Sequence, residues 1–256
     1  MRIAISGTAN TGKTTLLKAF LNKWNMYTTP IKTYRDVIKE NGLNHSSKTS
    51  DETQLHILNW MMEEQAKYPK GSKIIYDRCP WDNLAYTLHA NSKGLVTDEI
   101  AAATISFVKE SMKDLDIIFW LKRNPHIKII KDDLRDTDEQ YIAEVDSVFD
   151  GLFKQYMENL ESDAFYPKED CPAIVCIDES FPSVDDKLMF IGEFIDYRGD
   201  LIEGDSVLDP SNMEMFEKML KEHEHELENE ERIDKIVKEF KNPYDDSKKK
   251  SKKGRK

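Results

Sequence analysis

A glycine-rich stretch near the amino terminus carries the residue types best suited to phosphate chemistry. Two glycines enclose four residues, and a lysine and two threonines follow, so that the stretch reads Gly7, Thr8, Ala9, Asn10, Thr11, Gly12, Lys13, Thr14, Thr15. Glycine lets the backbone turn tightly, which points successive N–H groups inward around an anion. The ammonium of Lys13 suits the β and γ phosphates of a nucleotide, and the hydroxyl of Thr14 suits magnesium. The stretch therefore predicts a site for ATP or GTP with Mg²⁺, and we take ATP as the donor.

The elements on either side of this phosphate loop support that prediction. An apolar strand, Arg2–Ser6, precedes the loop, and a helix, Thr14–Asn25, follows it with apolar residues at helical spacing. The helix presents the positive end of its dipole to the same phosphates. A strand before and a helix after is the context in which this pattern binds phosphate.

Strands and helices alternate along residues 1–196. The further predicted strands are Ile31–Tyr34, Lys73–Asp77, Asp116–Leu121 and Ala173–Ile177. The further predicted helices are Asp51–Lys67, Pro80 to about His89, Asp98–Met112, about Asp138–Leu160, and a helix capped by Ser183 that ends near Ile195. Such alternation implies parallel pairing with right-handed crossovers. We predict a three-layer α/β domain with a five-stranded parallel sheet.

A carboxylate and a guanidinium follow the third predicted strand. In this architecture, a residue such as Asp77 at the C-terminal edge of a neighbouring strand faces the phosphate loop. Asp77 could hold magnesium through water or accept a proton, and Arg78 could bind a phosphate with its planar fork. An ordinary surface ion pair is the alternative for these two residues.

The segment Asp77–Tyr86 resembles the Asp-Arg…Ala-Tyr segment of thymidylate kinases. It also resembles the Asp-Arg-x-x-x-Asp-x-x-Ala-Tyr segment of nicotinamide-riboside-kinase-like P-loop proteins, which are often labelled AAA-type ATPases and are common in phages. Tyr34–Ile38, Glu52–Gln54 and Asp133–Asp138 fit the layout of that second group. The resemblance covers about Met1–Asp196 and implies a P-loop nucleoside- or nucleotide-kinase-like fold with strand order 2-3-1-4-5.

The same resemblance implies where the acceptor lies and which residues act. It places the acceptor between Tyr34–Asp36 and Asp77–Tyr86, with candidate contacts Tyr34, Arg35, Asp36, Asp82 and Tyr86. Candidate catalytic residues are Lys13, Asp77, Arg78 and Arg135, and candidate metal ligands are Thr14 and Asp77. Arg135 belongs to a basic stretch, Lys122–Asp136, at the position of a kinase lid. A basic lid would neutralise the moving phosphoryl group, and a solvated loop is the alternative.

Aromatic residues in the same segment have two interpretations. Trp81 and Tyr86 could stack on a base beside the acceptor site, but aromatic residues at the start of a helix more often belong to the core.

One departure from the kinase pattern bears on the acceptor. Relatives that phosphorylate a hydroxyl often carry a glutamate at the end of strand two, where this chain has Lys32, with Asp36 slightly downstream. The cations Lys32 and Arg35 suit a phosphorylated acceptor. We therefore predict a magnesium-dependent kinase for a nucleotide or nucleoside, with a deoxynucleoside monophosphate first. A nicotinamide riboside or polynucleotide 5′-hydroxyl kinase, with Asp77 or Asp36 as base, is the alternative within enzymes. A nucleotide-gated regulatory ATPase is the alternative outside kinases.

Composition sets the remaining expectations. The 256 residues are 39% hydrophobic and carry a net charge of −11, which favours a globular protein and argues against a nucleic-acid coat. The apolar runs are too short to cross a bilayer and no signal peptide is visible, so we expect a cytoplasmic protein without membrane contact. The three cysteines lack metal-ligand spacing and are interpreted as packed thiols.

The C-terminal part lies outside the resemblance. Residues 197–241 are predicted to form a charged helical extension, and residues 242–256 a disordered tail that ends in the basic block Lys248–Lys256. The tail either contributes only solubility or makes weak, salt-sensitive contact with nucleic acid. The sequence does not decide between a monomer and a homodimer.

Overall fold

Parallel strands and helices alternate along the part of the chain that the computed structural model describes, namely residues 1–44, 48–124, 138–159 and 172–202. The strands are β1 Arg2–Ser6, β2 Ile74–Asp77, β3 Ile117–Leu121 and β4 Ala173–Ile177. The helices are α1 Lys13–Lys23, α2 Tyr34–Asn41, α3 Asp51–Ala66, α4 Pro80–Ser92, α5 Asp98–Met112, α6 Glu139–Asn159 and α7 Val184–Ile191. The predicted α/β fold class is confirmed.

The strands form one sheet in the order β2-β1-β3-β4, and every pair is parallel. Ile3 pairs with both Ile75 and Ile117, which places β1 at the centre. All residues of β1 and β3 are buried. Continuous apolar strands of this kind are typical of parallel sheets covered on both faces. Because the strands run in parallel, the C-terminal ends of β1 and β2 meet at one edge, beside the loop that follows β1.

The prediction that Ile31–Tyr34 forms the second strand is wrong. Thr33 instead caps α2, and its backbone N–H donates to Asp36 Oδ2 at 2.8 Å. Ile31 is fully exposed, so it has no sheet face to cover. Pro30 cannot donate to a ladder because it lacks an N–H. The capping geometry and the proline together favour a helix start over a strand.

A single bridge occupies the sheet position expected for that strand. Thr28 donates its N–H to the carbonyl of Lys73 at 3.0 Å, and its carbonyl accepts from Ile75 N at 2.9 Å. Thr28 and Ile74 thus form an isolated parallel bridge at the outer side of β2. Apart from this bridge, the strand order is the predicted one without its edge strand.

An aromatic cluster joins α4 to the sheet and to α6. The Trp81 ring lies edge-on to Trp120 at 6.1 Å and to Phe149 at 5.4 Å between ring centroids. All three side chains are fully buried. Trp81 is therefore a core residue, and the packing fixes the first turn of α4 against the end of β3.

The segment after α7 packs back on the beginning of the chain. Trp24 Nε1 donates to the carbonyl of Asp196 at 2.8 Å, and the Tyr27 hydroxyl donates to the carbonyl of Gly199 at 2.7 Å. Lys73 pairs with Asp200 at 3.0 Å. We call residues 196–200 the C-terminal clasp. It belongs to a compact unit that comprises Met1–Glu203.

Several predictions fall outside the described residues. They concern the greater part of the lid stretch, including Arg135, the helical extension beyond residue 202, and the tail 242–256. Within the described ranges, none of the helices has both the length and the apolar character needed to cross a bilayer.

Candidate active site

The loop between β1 and α1 has the backbone of a phosphate cradle. Gly7, Asn10 and Gly12 have positive φ angles of 128°, 61° and 87°. A Cβ on Gly7 would lie 2.3 Å from the carbonyl oxygen of Leu121, so only glycine fits at this point. Gly12 also opens α1, which directs the free N–H groups of the first helical turn toward the loop.

Lys13 is held inside this loop. Its ammonium donates to the carbonyl of Thr8 and, at 3.1 Å, to Thr11 Oγ1. Burial lowers the pKa of Lys13 well below its ordinary value, with the charge of Arg78 adding to the effect. Both hydrogen-bond acceptors are neutral oxygens that a phosphate oxygen could replace. The buried cation therefore fits an anionic ligand, whose charge would favour the protonated amine.

Thr14 and Asp77 come together as predicted. The Thr14 hydroxyl, in the first turn of α1, donates to Asp77 Oδ2, at the end of β2, over 3.1 Å. Both are hard oxygen ligands. Magnesium is commonly bound by one or two such groups together with substrate phosphates and waters. This donor pair therefore fits magnesium, and no group of three or more His, Cys, Asp or Glu in the described ranges forms a metal cluster elsewhere.

Asp82 supports the loop from behind. Its Oδ1 accepts from Gly7 N at 3.1 Å and from Arg78 Nη1 at 2.9 Å, while Oδ2 accepts from Cys79 N at 3.1 Å at the start of α4. Asp82 is only 1% exposed. Direct contact between Asp82 and an acceptor, as predicted, would require these bonds to break, so its burial argues against that role.

Arg78 is likewise committed to the protein. It is 6% exposed, has a positive φ of 80°, and donates from Nη1 to the carbonyl of Gly7 at 2.9 Å. Nη2 donates to the Tyr86 hydroxyl at 3.3 Å. The guanidinium carbon lies 5.1 Å from the ring centroids of both Tyr34 and Tyr86. These contacts connect α2, α4 and the phosphate loop through one side chain, so the predicted phosphate contact of Arg78 stays a prediction.

The other residues predicted from α2 have local partners. The Arg35 guanidinium lies over the Tyr34 ring at 5.3 Å, and its Nε is buried without a hydrogen-bond partner among the described residues. Asp36 accepts from both the N–H and the hydroxyl of Thr33 at 2.8 Å. These hydrogen bonds lower the pKa of Asp36. A carboxylate in this state is a poor candidate for a general base.

A cavity of about 110 Å³ opens beside Thr14 and Asp77. It lies between the segment before α2, the end of β2, and α3, close to where the acceptor was expected. Its lining is Thr14, Leu17, Thr29, Pro30, Lys32, Thr33, Trp60, Met61, Glu64, Gln65, Tyr76, Asp77, Arg78, Cys79 and Pro80. The predicted contacts Tyr34, Arg35, Asp36, Asp82 and Tyr86 are not part of that lining.

The contribution of α3 to this cavity was not predicted from the sequence. Trp60, Glu64 and Gln65 line it, and Glu64 is paired with Lys67. Gln65 follows Met61 by four residues and Leu58 by seven, so it occupies the buried face of α3, which also carries the polar residues Thr53, Gln54 and Glu64. A polar amide at such a position was the available signal.

The family and the fold neighbours agree with this geometry. No curated protein sequence matches the chain. The structure of deoxyadenosine kinase from M. mycoides with the products dCMP and dCDP matches with a TM-score of 0.54 and 20% identity, over 75% of this chain and 96% of that one. Thymidylate kinase from Candida albicans matches with a TM-score of 0.54 and 18% identity, over 79% and 95%. The NadR protein in complex with NR matches with a TM-score of 0.50 and 15% identity, over 80% and 53%.

These likenesses show a shared fold and confirm the predicted resemblance to P-loop kinases. Residues 2–160 match the family model described as the AAA domain, which is more than half of the chain. The chain therefore belongs to the AAA domain family of P-loop proteins.

Proposed function

We propose that the chain is a magnesium-dependent kinase that transfers the γ-phosphate of ATP to a nucleoside or nucleotide bound in the cavity beside Asp77. One observation carries the proposal. The Asp77 carboxylate accepts from the phosphate-loop residue Thr14 at 3.1 Å and also lines the cavity. The donor loop and a candidate acceptor site therefore meet at one side chain, which is the arrangement that phosphoryl transfer requires.

On the donor side, Thr14 and Asp77 would hold the metal. Magnesium held there would supply positive charge that neutralises the phosphate oxygens during transfer. Lys13 exchanges its hydrogen bond to the carbonyl of Thr8 for one to a phosphate oxygen. Asp82 holds Gly7 in place, so the loop keeps its shape while Lys13 moves.

On the acceptor side, Asp77 favours a hydroxyl group. Two described carboxylates line the cavity. Glu64 is already paired with Lys67, whereas the hydrogen bond to the Asp77 carboxylate comes from the neutral hydroxyl of Thr14. If Asp77 holds magnesium only through water, its half-buried carboxylate can also orient a hydroxyl or take its proton.

A monophosphate acceptor, favoured by the sequence, has separate support. Lys32 lines the cavity, and its 2.8 Å ion pair with Glu40 is exposed on both sides. Exposed pairs contribute little to stability, so Lys32 can be redirected to a phosphate. Arg35 Nε, buried without a partner in the described part of the chain, could do the same.

The deciding experiment is ADP release by the full chain with ATP, magnesium and a panel of nucleosides, nucleoside monophosphates, nicotinamide riboside and 5′-hydroxyl oligonucleotides. We expect at least one acceptor to stimulate turnover. Lys13→Ala should abolish that turnover with the fold intact, whereas Lys18→Ala, at an exposed position of the same helix, should not. ATP turnover that no acceptor stimulates would refute the kinase proposal and favour the regulatory ATPase.

A second comparison separates the two acceptor classes. If the acceptor is a monophosphate, Lys32→Ala should raise its KM about tenfold, the loss expected for one charge-assisted hydrogen bond. Lys39→Ala, on an exposed face of α2 and outside the cavity, serves as the control. If the acceptor is a nucleoside, Lys32→Ala should leave its kinetics unchanged.

A further inference from the structure

We infer that the side-chain amide of Gln65 binds the substrate that accepts the phosphate. This substrate presents a hydrogen-bond donor next to a hydrogen-bond acceptor, as a nucleobase edge or a carboxamide does. This inference rests on the proposed function and narrows its substrate class. It starts from a polar group that the protein buries but does not satisfy.

Gln65 is 2% exposed and lines the cavity beside Asp77. Neither its amide nitrogen nor its carbonyl oxygen has a hydrogen-bond partner among the described residues. Buried side-chain polar atoms are nearly always paired, and an unpaired amide destabilises the folded state. A group that the protein leaves unpaired beside a reaction site is therefore expected to be paired by a ligand or by water.

A second glutamine in the same helix shows the contrasting arrangement. Gln54 is also buried, but its amide nitrogen donates to Thr49 Oγ1 at 2.7 Å. Its amide oxygen accepts from Asn83 Nδ2 at 2.9 Å and from Thr87 Oγ1 at 3.2 Å. Gln54 thus joins α3 to α4 with its side chain satisfied by protein alone. The open amide of Gln65 is not a general property of glutamines in α3.

The chemistry of an amide defines the ligand. A glutamine side chain offers an N–H donor and a carbonyl acceptor side by side. Its full complement is a group with an acceptor next to a donor, such as the edge of adenine or cytosine, or a primary carboxamide. A phosphate has oxygen acceptors only at neutral pH and would leave the carbonyl of Gln65 unpaired.

The rest of the cavity suits a flat group with one polar edge. Leu17, Trp60 and Met61 provide apolar and aromatic surface in the lining that contains Gln65. The volume of about 110 Å³ is well above what a single water needs, so the cavity has room for a ligand group in place of several waters. Asp77 and Thr14 line the same cavity, which leaves the remainder of the acceptor near the phosphate loop.

The test compares Gln65→Leu with wild type and with Gln54→Leu. We measure melting temperature, the KM for ATP, and kcat/KM for adenosine, cytidine, their 5′-monophosphates, nicotinamide riboside and purine riboside, which lacks the exocyclic amine of adenosine. Gln65→Leu should keep or raise the melting temperature, keep the KM for ATP, and lower kcat/KM at least tenfold for the preferred acceptor. Gln54→Leu should instead lower the melting temperature because it removes satisfied contacts.

The acceptor whose turnover depends on Gln65 identifies the source of the edge, either a nucleobase or a nicotinamide carboxamide. If a purine is preferred, the wild-type preference for adenosine over purine riboside should disappear in Gln65→Leu. Unchanged kcat/KM in Gln65→Leu would show that water alone satisfies the amide and would overturn the inference while leaving the kinase proposal intact. An equal decrease of kcat/KM for all acceptors, including purine riboside, would also overturn the inference and leave the kinase proposal intact. No stimulated ADP release by wild type with any acceptor would refute the proposed function itself.

Discussion

Asp82 supports the phosphate loop, and its replacement by alanine should strongly lower the stability of the protein. Asp82 and Arg78 are 1% and 6% exposed, and their ion pair spans 2.9 Å. Asp82→Ala leaves the buried guanidinium without its counter-charge, which typically costs about 3–5 kcal/mol. In a domain of this size, each kcal/mol lowers Tm by about 2–4 °C. We therefore expect Tm to fall by about 6–20 °C.

The assay is thermal and urea unfolding followed by circular dichroism, with Asp186→Ala as the matched control. Asp186 occupies the same third position of helix α7 and accepts from Ser183 N at 2.9 Å, but no ion pair forms on it among the described residues. The neighbouring Lys187 is buried and donates instead to the carbonyls of Phe181 and Ser183. Its loss should cause a clearly smaller change in Tm. Asp82→Asn keeps the shape and the acceptor oxygen while it removes the charge, so it should fall between the two.

Function provides a second readout for the same substitution. Because Asp82 accepts from Gly7 N, its loss should also loosen the loop and raise the KM for ATP. Equal losses of stability in Asp82→Ala and Asp186→Ala would refute the view that a buried charge pair supports the loop.

Three further predictions concern other parts of the chain. Gly7→Ala should abolish ATP binding, measured by calorimetry, because the added Cβ would lie 2.3 Å from the carbonyl oxygen of Leu121; normal binding would contradict the cradle geometry. Burial raises the pKa of Asp146 to about 6, so the folded state binds more protons than the unfolded chain between pH 4 and 6, and this group's contribution to stability falls as the pH rises through that range. The Tm of Asp146→Asn minus that of wild type should accordingly increase from pH 4 to pH 7. A difference that stays constant over this range would show that Asp146 does not titrate there. A chain that ends at Asn242 should keep kinase activity and lose any nucleic-acid retention on a low-salt column, whereas lost catalysis would show that the removed residues support the site.

The sequence was sufficient for the features that depend on local pattern. The phosphate loop, the strand before it and the helix after it follow from glycine spacing and apolar periodicity, and the structure has them where they were predicted. The pairing of Thr14 with Asp77 could be expected as well, because parallel strands bring their C-terminal ends to one edge.

The features that depend on tertiary environment were not accessible in the same way. Arg78 and Asp82 could be identified as charged residues near the loop, but the burial of Arg78 depends on the rings of Tyr34, in α2, and Tyr86, in α4. The segment Ile31–Tyr34 has strand-like composition, and the Thr33 cap overrides that weak preference. Gln65 could not be assigned to a cavity, because the helix pattern predicts burial and not what lies opposite.

The C-terminal clasp has a consequence for the kinetics of folding. Its hydrogen bonds from Trp24 to Asp196 and from Tyr27 to Gly199 each join residues 172 positions apart. Contacts of such long range carry a large loop-closure entropy and form late, after the local helices and the adjacent strand pairs. Substitution of Tyr27 by phenylalanine should therefore speed unfolding while it leaves the rate of refolding nearly unchanged. We therefore expect the first and last segments of the unit to meet in the final steps of folding, so that the clasp slows unfolding.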